Sequence, residues 1–66
     1  MNEEKLERWA DKIYMRYYGH LDNPGLRVAK TQEIFYWLET SDSINTMAEA
    51  MSEWYVHDMS EILRLG

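Results

Sequence analysis

Thr31-Gln32-Glu33-Ile34-Phe35-Tyr36-Trp37-Leu38-Glu39-Thr40 is the stretch on which the fold turns, because its five central residues form an unbroken apolar run. Periodicity alone does not separate a buried strand from a buried helix in so short a run, and β propensity favours a strand. A strand needs a partner, however, and the only candidate is Leu26–Ala29, joined through Lys30-Thr31-Gln32-Glu33, which lacks the Gly or Asn of a tight hairpin. An isolated two-stranded hairpin is weak as well. A helix meets neither objection. It would be capped by Asn23 or Asp22 ahead of Pro24, or later by Thr31. The resulting expectation is an all-α, three-helix domain; the alternative is α-β-β-α with a hairpin at about 26–38. On the helical reading Ile34, Leu38 and Thr31 share a face and Tyr36 points away. Such a helix, apolar nearly all round, is expected to be the central element or to lie in an interface.

Outward from this segment, Gly19-His20-Leu21-Asp22-Asn23-Pro24-Gly25 is the one strongly punctuated turn, and Thr40-Ser41-Asp42-Ser43 is a softer break. Before the turn, Leu6, Trp9, Ala10, Ile13, Tyr17 and Leu21 recur at helical spacing and predict a helix over 3–18 with Gly19 at its C′ position. Tyr14, Met15 and Tyr18 fall off that stripe. After the second break, Ile44, Met47, Ala48, Met51, Tyr55, Met59 and Ile62 form another stripe, with Trp54 and Leu63 on its edges, and predict a helix over roughly 43–64. Ser43 competes with Thr46 as its cap; in the second case Thr46-Met47-Ala48-Glu49 reads as a capping box.

With 66 residues there is room for one domain, 1–66, and no second core. The chain has no cysteine, so it lacks disulfides and thiolate ligands, and packing or self-association must supply its stability. Nine aromatic residues, 3 Trp, 5 Tyr and 1 Phe, argue against disorder. No apolar run is long enough for a membrane span, and Met1-Asn2-Glu3-Glu4-Lys5 is acidic where a signal peptide would be basic. The expectation is a soluble, cytoplasmic protein without membrane partners.

Charge is divided unevenly. Residues 1–30 carry Lys5, Arg8, Lys12, Arg16, Arg27 and Lys30 against five acidic groups, whereas 31–66 carry seven acidic groups and only Arg64, giving +1 and −6. The C-terminal half therefore repels phosphate, which nucleic-acid binding must neutralise. Thr31 to Ser43 resembles in outline the first helix and turn of helix-turn-helix DNA-binding domains, which tend to read Thr-Gln-Glu, an apolar pair, Leu-Gly, then Ser. It departs from them at Phe35 and Tyr36, where a small Ala is usual, and at Glu39, where the turn Gly stands. The resemblance implies a recognition helix over the following segment, yet residues 44–61 contain no Lys or Arg for base readout or phosphate anchoring. Direct nucleic-acid contact is therefore not expected. A DNA-binding regulator using Arg8, Lys12, Arg16, Arg27 and Lys30 against phosphate is the alternative from another class.

Catalytic residues are not expected: there is no cysteine, phosphate loop or nucleophile elbow, and too little chain to enclose a pocket. Glu53, His57 and Glu61, spaced i, i+4, i+8, form at most a sparse metal pattern, and no metal or cofactor is expected. What the sequence offers instead is binding surface. Tyr14, Met15, Tyr18, Tyr36 and Trp54 are expected as spare aromatic and apolar anchors, and Glu49, Glu53, Asp58 and Glu61 as charges that steer a basic partner. Asp58 is the odd carboxylate, close to the apolar stripe; it should pair with Arg8, Lys12 or Arg16, or face a partner. The function expected is stoichiometric protein binding by a small inhibitor or regulator, of the kind phage and mobile-element genes supply, with homodimerisation alongside. A purely structural homo-oligomer is the third reading.

Overall fold

The computed structural model describes the backbone over residues 3–41 and 44–65 and the side chains over 3–41 and 44–60. Three helices follow one another: α1 (Glu3–Tyr18), α2 (Pro24–Thr40) and α3 (Met47–Leu65), and no strand occurs among the described residues. The apolar run is thus helical, and the hairpin alternative at 26–38 is excluded. Local chemistry accounts for this. Asn23 adopts an extended backbone (φ −144°, ψ 93°), its Oδ1 accepts from the Leu26 N–H at 3.0 Å, and Pro24 occupies the first turn, where its missing N–H costs nothing. At the other end the Thr40 hydroxyl donates to the carbonyls of Tyr36 and Trp37, and the Ser41 hydroxyl donates to Trp37 at 2.7 Å, so the last turn of α2 is closed by side chains. Thr46 caps α3 by accepting from the Glu49 N–H at 3.1 Å. The competing cap, Ser43, lies outside the described residues.

α1 is the central element. It packs closely along α2 and more lightly on α3, while α2 and α3 touch each other least. Of the two places expected for the apolar middle helix, centre of the fold or interface, the centre is excluded: α2 buries Ile34 and Leu38, with Phe35 and Trp37 half-covered, and leaves Val28 and Tyr36 in solvent. Between the three helices lies one core, Leu6, Ala10, Ile13, Tyr14, Ile34, Leu38, Ile44, Ala50 and Trp54. Leu21, predicted to extend the α1 stripe, is exposed instead, because the turn carries it past the end of the helix.

The face that α3 buries also differs from the predicted one. Ala50 and Trp54 are its innermost side chains, Met47 and Met51 are half-buried, and Tyr55 and Met59, expected inside, are exposed. The helix is rolled so that its indole goes in. An indole buries more apolar area than a methionine, and Ala50, one turn earlier, is small enough to let α3 approach its neighbours.

Gly19 is required, though not for the left-handed conformation expected of a C′ glycine, since no described glycine has a positive φ. A Cβ there would lie 2.4 Å from the Met15 carbonyl oxygen, a backbone atom with no side-chain freedom to move aside. Gly19→Ala is expected to cost about 1–3 kcal/mol, the range for forcing extra carbon into a packed site. Chemical denaturation checks it, with Gly25→Ala as the control, because a Cβ at Gly25 meets only the Asn23 side chain at 3.5 Å.

Candidate binding surface

Of the anchors proposed from sequence, Tyr14 and Trp54 are not on the surface. Both are buried, Trp54 fully, and this corrects their assignment as spare aromatics. The Trp54 indole is larger than any side chain of the stripe predicted for α3, and the helix rolls to cover it, while Tyr14 is covered beside Ile13 in the core. Tyr14 lies under the Arg27 guanidinium, 5.9 Å from its centroid, and Arg27 in turn pairs with Asp11 at 2.8 Å. Met15 (50% exposed) stands at the α1–α2 turn, and Tyr36 (67%) is far along α2 from it; the fold does not gather them into one patch.

Tyr18 and Asp58 meet in a half-buried polar network that ties the three helices together. The Trp54 indole N–H donates to the Tyr18 hydroxyl at 3.1 Å, and that hydroxyl donates to Asp58 Oδ2 at 2.7 Å. Lys30 Nζ stands 3.6 Å from Asp58 Oδ1, 3.3 Å from Glu33 Oε2 and 5.6 Å from the Tyr18 ring centroid. Burial, followed by the hydrogen bond to Asp58 and the negative charges of Asp58 and Glu33, drives the Tyr18 phenol well above its ordinary pKa, against a smaller opposing effect of the Trp54 donor. Asp58 thus finds the basic partner that its position demands, but from α2 rather than from Arg8, Lys12 or Arg16. Tyr17 adds a second tie by donating to the Met51 carbonyl at 2.9 Å.

Trp37 and His57 extend the aromatic core toward the surface. Trp37 meets Trp54 edge-on at 5.3 Å and stacks on His57 at 5.7 Å, and His57 lies 5.3 Å from Trp54. His57 is therefore packed against two indoles. Among the described residues no three His, Asp or Glu side chains gather as metal ligands, and the Glu61 side chain lies outside them.

The surface that sequence reasoning missed is the outer side of α3. Ala48, Ser52, Tyr55, Val56 and Met59 recur at i, i+4, i+7, i+8 and i+11, and all are exposed, with Tyr55 at 52%, Val56 at 63% and Met59 at 38%. Glu49 and Glu53 are exposed beside them. The signal was present: once Trp54 is placed inside, helical spacing alone puts these residues outside. Arg27 and Lys30, two of the cations that a DNA-binding reading would use, are held in the ion pairs described above. Comparison with known proteins gives no match among family models, curated proteins or solved structures. No helix of the described residues is long and apolar enough to cross a membrane.

Proposed function

We propose that this chain is non-catalytic and acts by stoichiometric binding to another protein, as a small inhibitor or regulator that presents the outer face of α3 to a basic surface in the cytoplasm. The observation that carries this reading is the apolar stripe Tyr55-Val56-Met59, exposed beside Glu49 and Glu53 on a helix half whose neighbouring sequence has no Lys or Arg from 31 to 63. Exposed apolar residues in a row, rimmed by charge, mark interaction sites more often than isolated ones do. The carboxylates would set on-rate and partner choice, and the apolar residues would set affinity. A basic nucleic-acid-binding surface is the partner type that fits, and phage or mobile-element inhibitors of such surfaces are the class to which this reading assigns the chain.

Tyr55→Ala with Met59→Ala is expected to weaken the complex with its partner by about 2 kcal/mol or more, as hot-spot truncation does, with a smaller loss of fold stability that comes from the contact of the Tyr55 ring with Tyr17 at 5.7 Å. Affinity by calorimetry and circular dichroism of the free variant separate the two effects. Unchanged affinity of the double variant refutes the outer-face reading.

Self-association is the second reading, favoured by the row Lys5, Arg8, Lys12 and Arg16, all exposed along one line of α1, whose charge is opposite to that of α3. Sedimentation equilibrium is expected to show a dimer that loosens with salt. A monomer at every concentration and ionic strength refutes it.

A further inference from the structure

Between Trp37 of α2 and the facing residues of α3, Trp37, Ser52, Glu53, Val56 and His57 line an open groove of about 500 Å³. Trp37 is only half-buried, and its ring is held in place by the edge-on contact with Trp54 and the stack on His57. Val56 offers bare methyl surface, and Glu53 an exposed carboxylate. Among the described residues no Lys or Arg lines the groove, and the sequence carries none between Lys30 and Arg64.

We propose that this groove is an arginine-binding site, which receives an arginine side chain of the partner protein. The three parts of the site match the three parts of that side chain. The Trp37 indole is stacked on His57 on one side and held at its contact with Trp54, and the ring surface these contacts leave exposed attracts a flat guanidinium. A carboxylate beside it accepts the paired N–H groups, and Val56 covers the methylene stem. Lysine satisfies the charge but not the plane, so the site favours arginine. This inference rests on the reading of the chain as a binder of basic proteins, and it names the chemistry by which the partner is recognised.

A short blocked peptide carrying two arginines four residues apart, with leucine between them, is the probe; lysine and citrulline twins are the controls. Titrated into the ¹⁵N-labelled full chain, the arginine peptide is expected to shift the Trp37 indole N–H and the amides of Ser52, Glu53 and Val56. It should bind about fivefold or more tighter than the citrulline twin, which keeps the shape and loses the charge. Glu53→Gln, an exposed substitution with no packing role, should lower affinity by a similar factor, whereas Glu7→Gln, exposed on α1 and outside the groove, should not. Equal binding of the arginine, lysine and citrulline peptides, or shifts that leave Trp37 untouched, overturns the site. A partner that responds to Tyr55→Ala with Met59→Ala but is indifferent to Glu53→Gln overturns the groove and leaves the outer-face reading standing. The reverse pattern supports the groove and refutes the outer face.

Discussion

Trp54→Ala is expected to unfold most of the protein at room temperature. The side chain is fully buried, meets Trp37 edge-on and donates its N–H to Tyr18, so truncation removes transfer energy, opens a cavity and takes from the Tyr18 hydroxyl the one bond it accepts, leaving its bond to Asp58. Truncating a buried tryptophan costs about 3–5 kcal/mol. At about 0.05–0.15 kcal/mol per residue, a domain of this size holds a total stability of similar order. Thermal denaturation followed by circular dichroism should lose its cooperative transition in the variant. Trp54→Phe, which keeps a ring and loses only the N–H and part of the volume, should remain folded with a lowered midpoint. A Trp54→Ala protein that melts within a few degrees of the parent would place the indole outside the core. The same experiment separates stability from binding, because a variant that is mostly unfolded will fail every pull-down for a reason unrelated to the interface.

That substitution also marks the border between what the sequence made legible and what it did not. The bounds of α1 were readable to the residue, since its apolar spacing, acidic first turn and following glycine agree, but the burial of Tyr14 on it was not. The middle segment was decided by its flanks: Asn23 and Pro24 form a working cap, while the hairpin had no turn chemistry to close it. The roll of α3 was not readable from periodicity, because Met47, Met51, Tyr55 and Met59 make as regular a stripe as Ala50 and Trp54 do. What chooses between them is the area an indole buries, and that is settled only when α1 and α2 are there to receive it. Asp58 was recognisable as a misplaced carboxylate from its own helix alone. Its partner was not, because the Lys30 contact depends on how α2 and α3 approach each other, a relation between segments 28 residues apart that no local pattern encodes. The exposed stripe on α3 and the Trp37 groove were missed for the same reason, both being consequences of that roll.

Tyr18→Phe tests the network that makes the roll specific. The hydroxyl both accepts from Trp54 and donates to Asp58, so its removal leaves a buried indole N–H without an acceptor, while Asp58 keeps Lys30. Leaving a buried donor unsatisfied costs about 1–3 kcal/mol, and urea denaturation near neutral pH should show a loss in that range. The pH dependence gives a second readout. A phenol ordinarily titrates near 10, and in the fold Tyr18 is pushed higher by burial, by its hydrogen bond to Asp58 and by the charges of Asp58 and Glu33. The folded state therefore holds the proton more tightly than the unfolded chain. Its contribution is complete below about pH 10, the unfolded value, and is lost as pH rises from there toward the higher folded value. The stability gap between the parent and Tyr18→Phe should be constant from neutral pH to about 9 and should narrow above 10, because only the parent has this proton to lose. A gap that stays constant through that window would mean that the hydroxyl is solvated rather than held between Trp54 and Asp58. A gap that narrows would identify the Trp54–Tyr18–Asp58 chain as the contact that fixes which face of α3 turns inward; the narrowing should persist in Trp54→Phe, because the indole donor it removes is the contact that favours the phenolate.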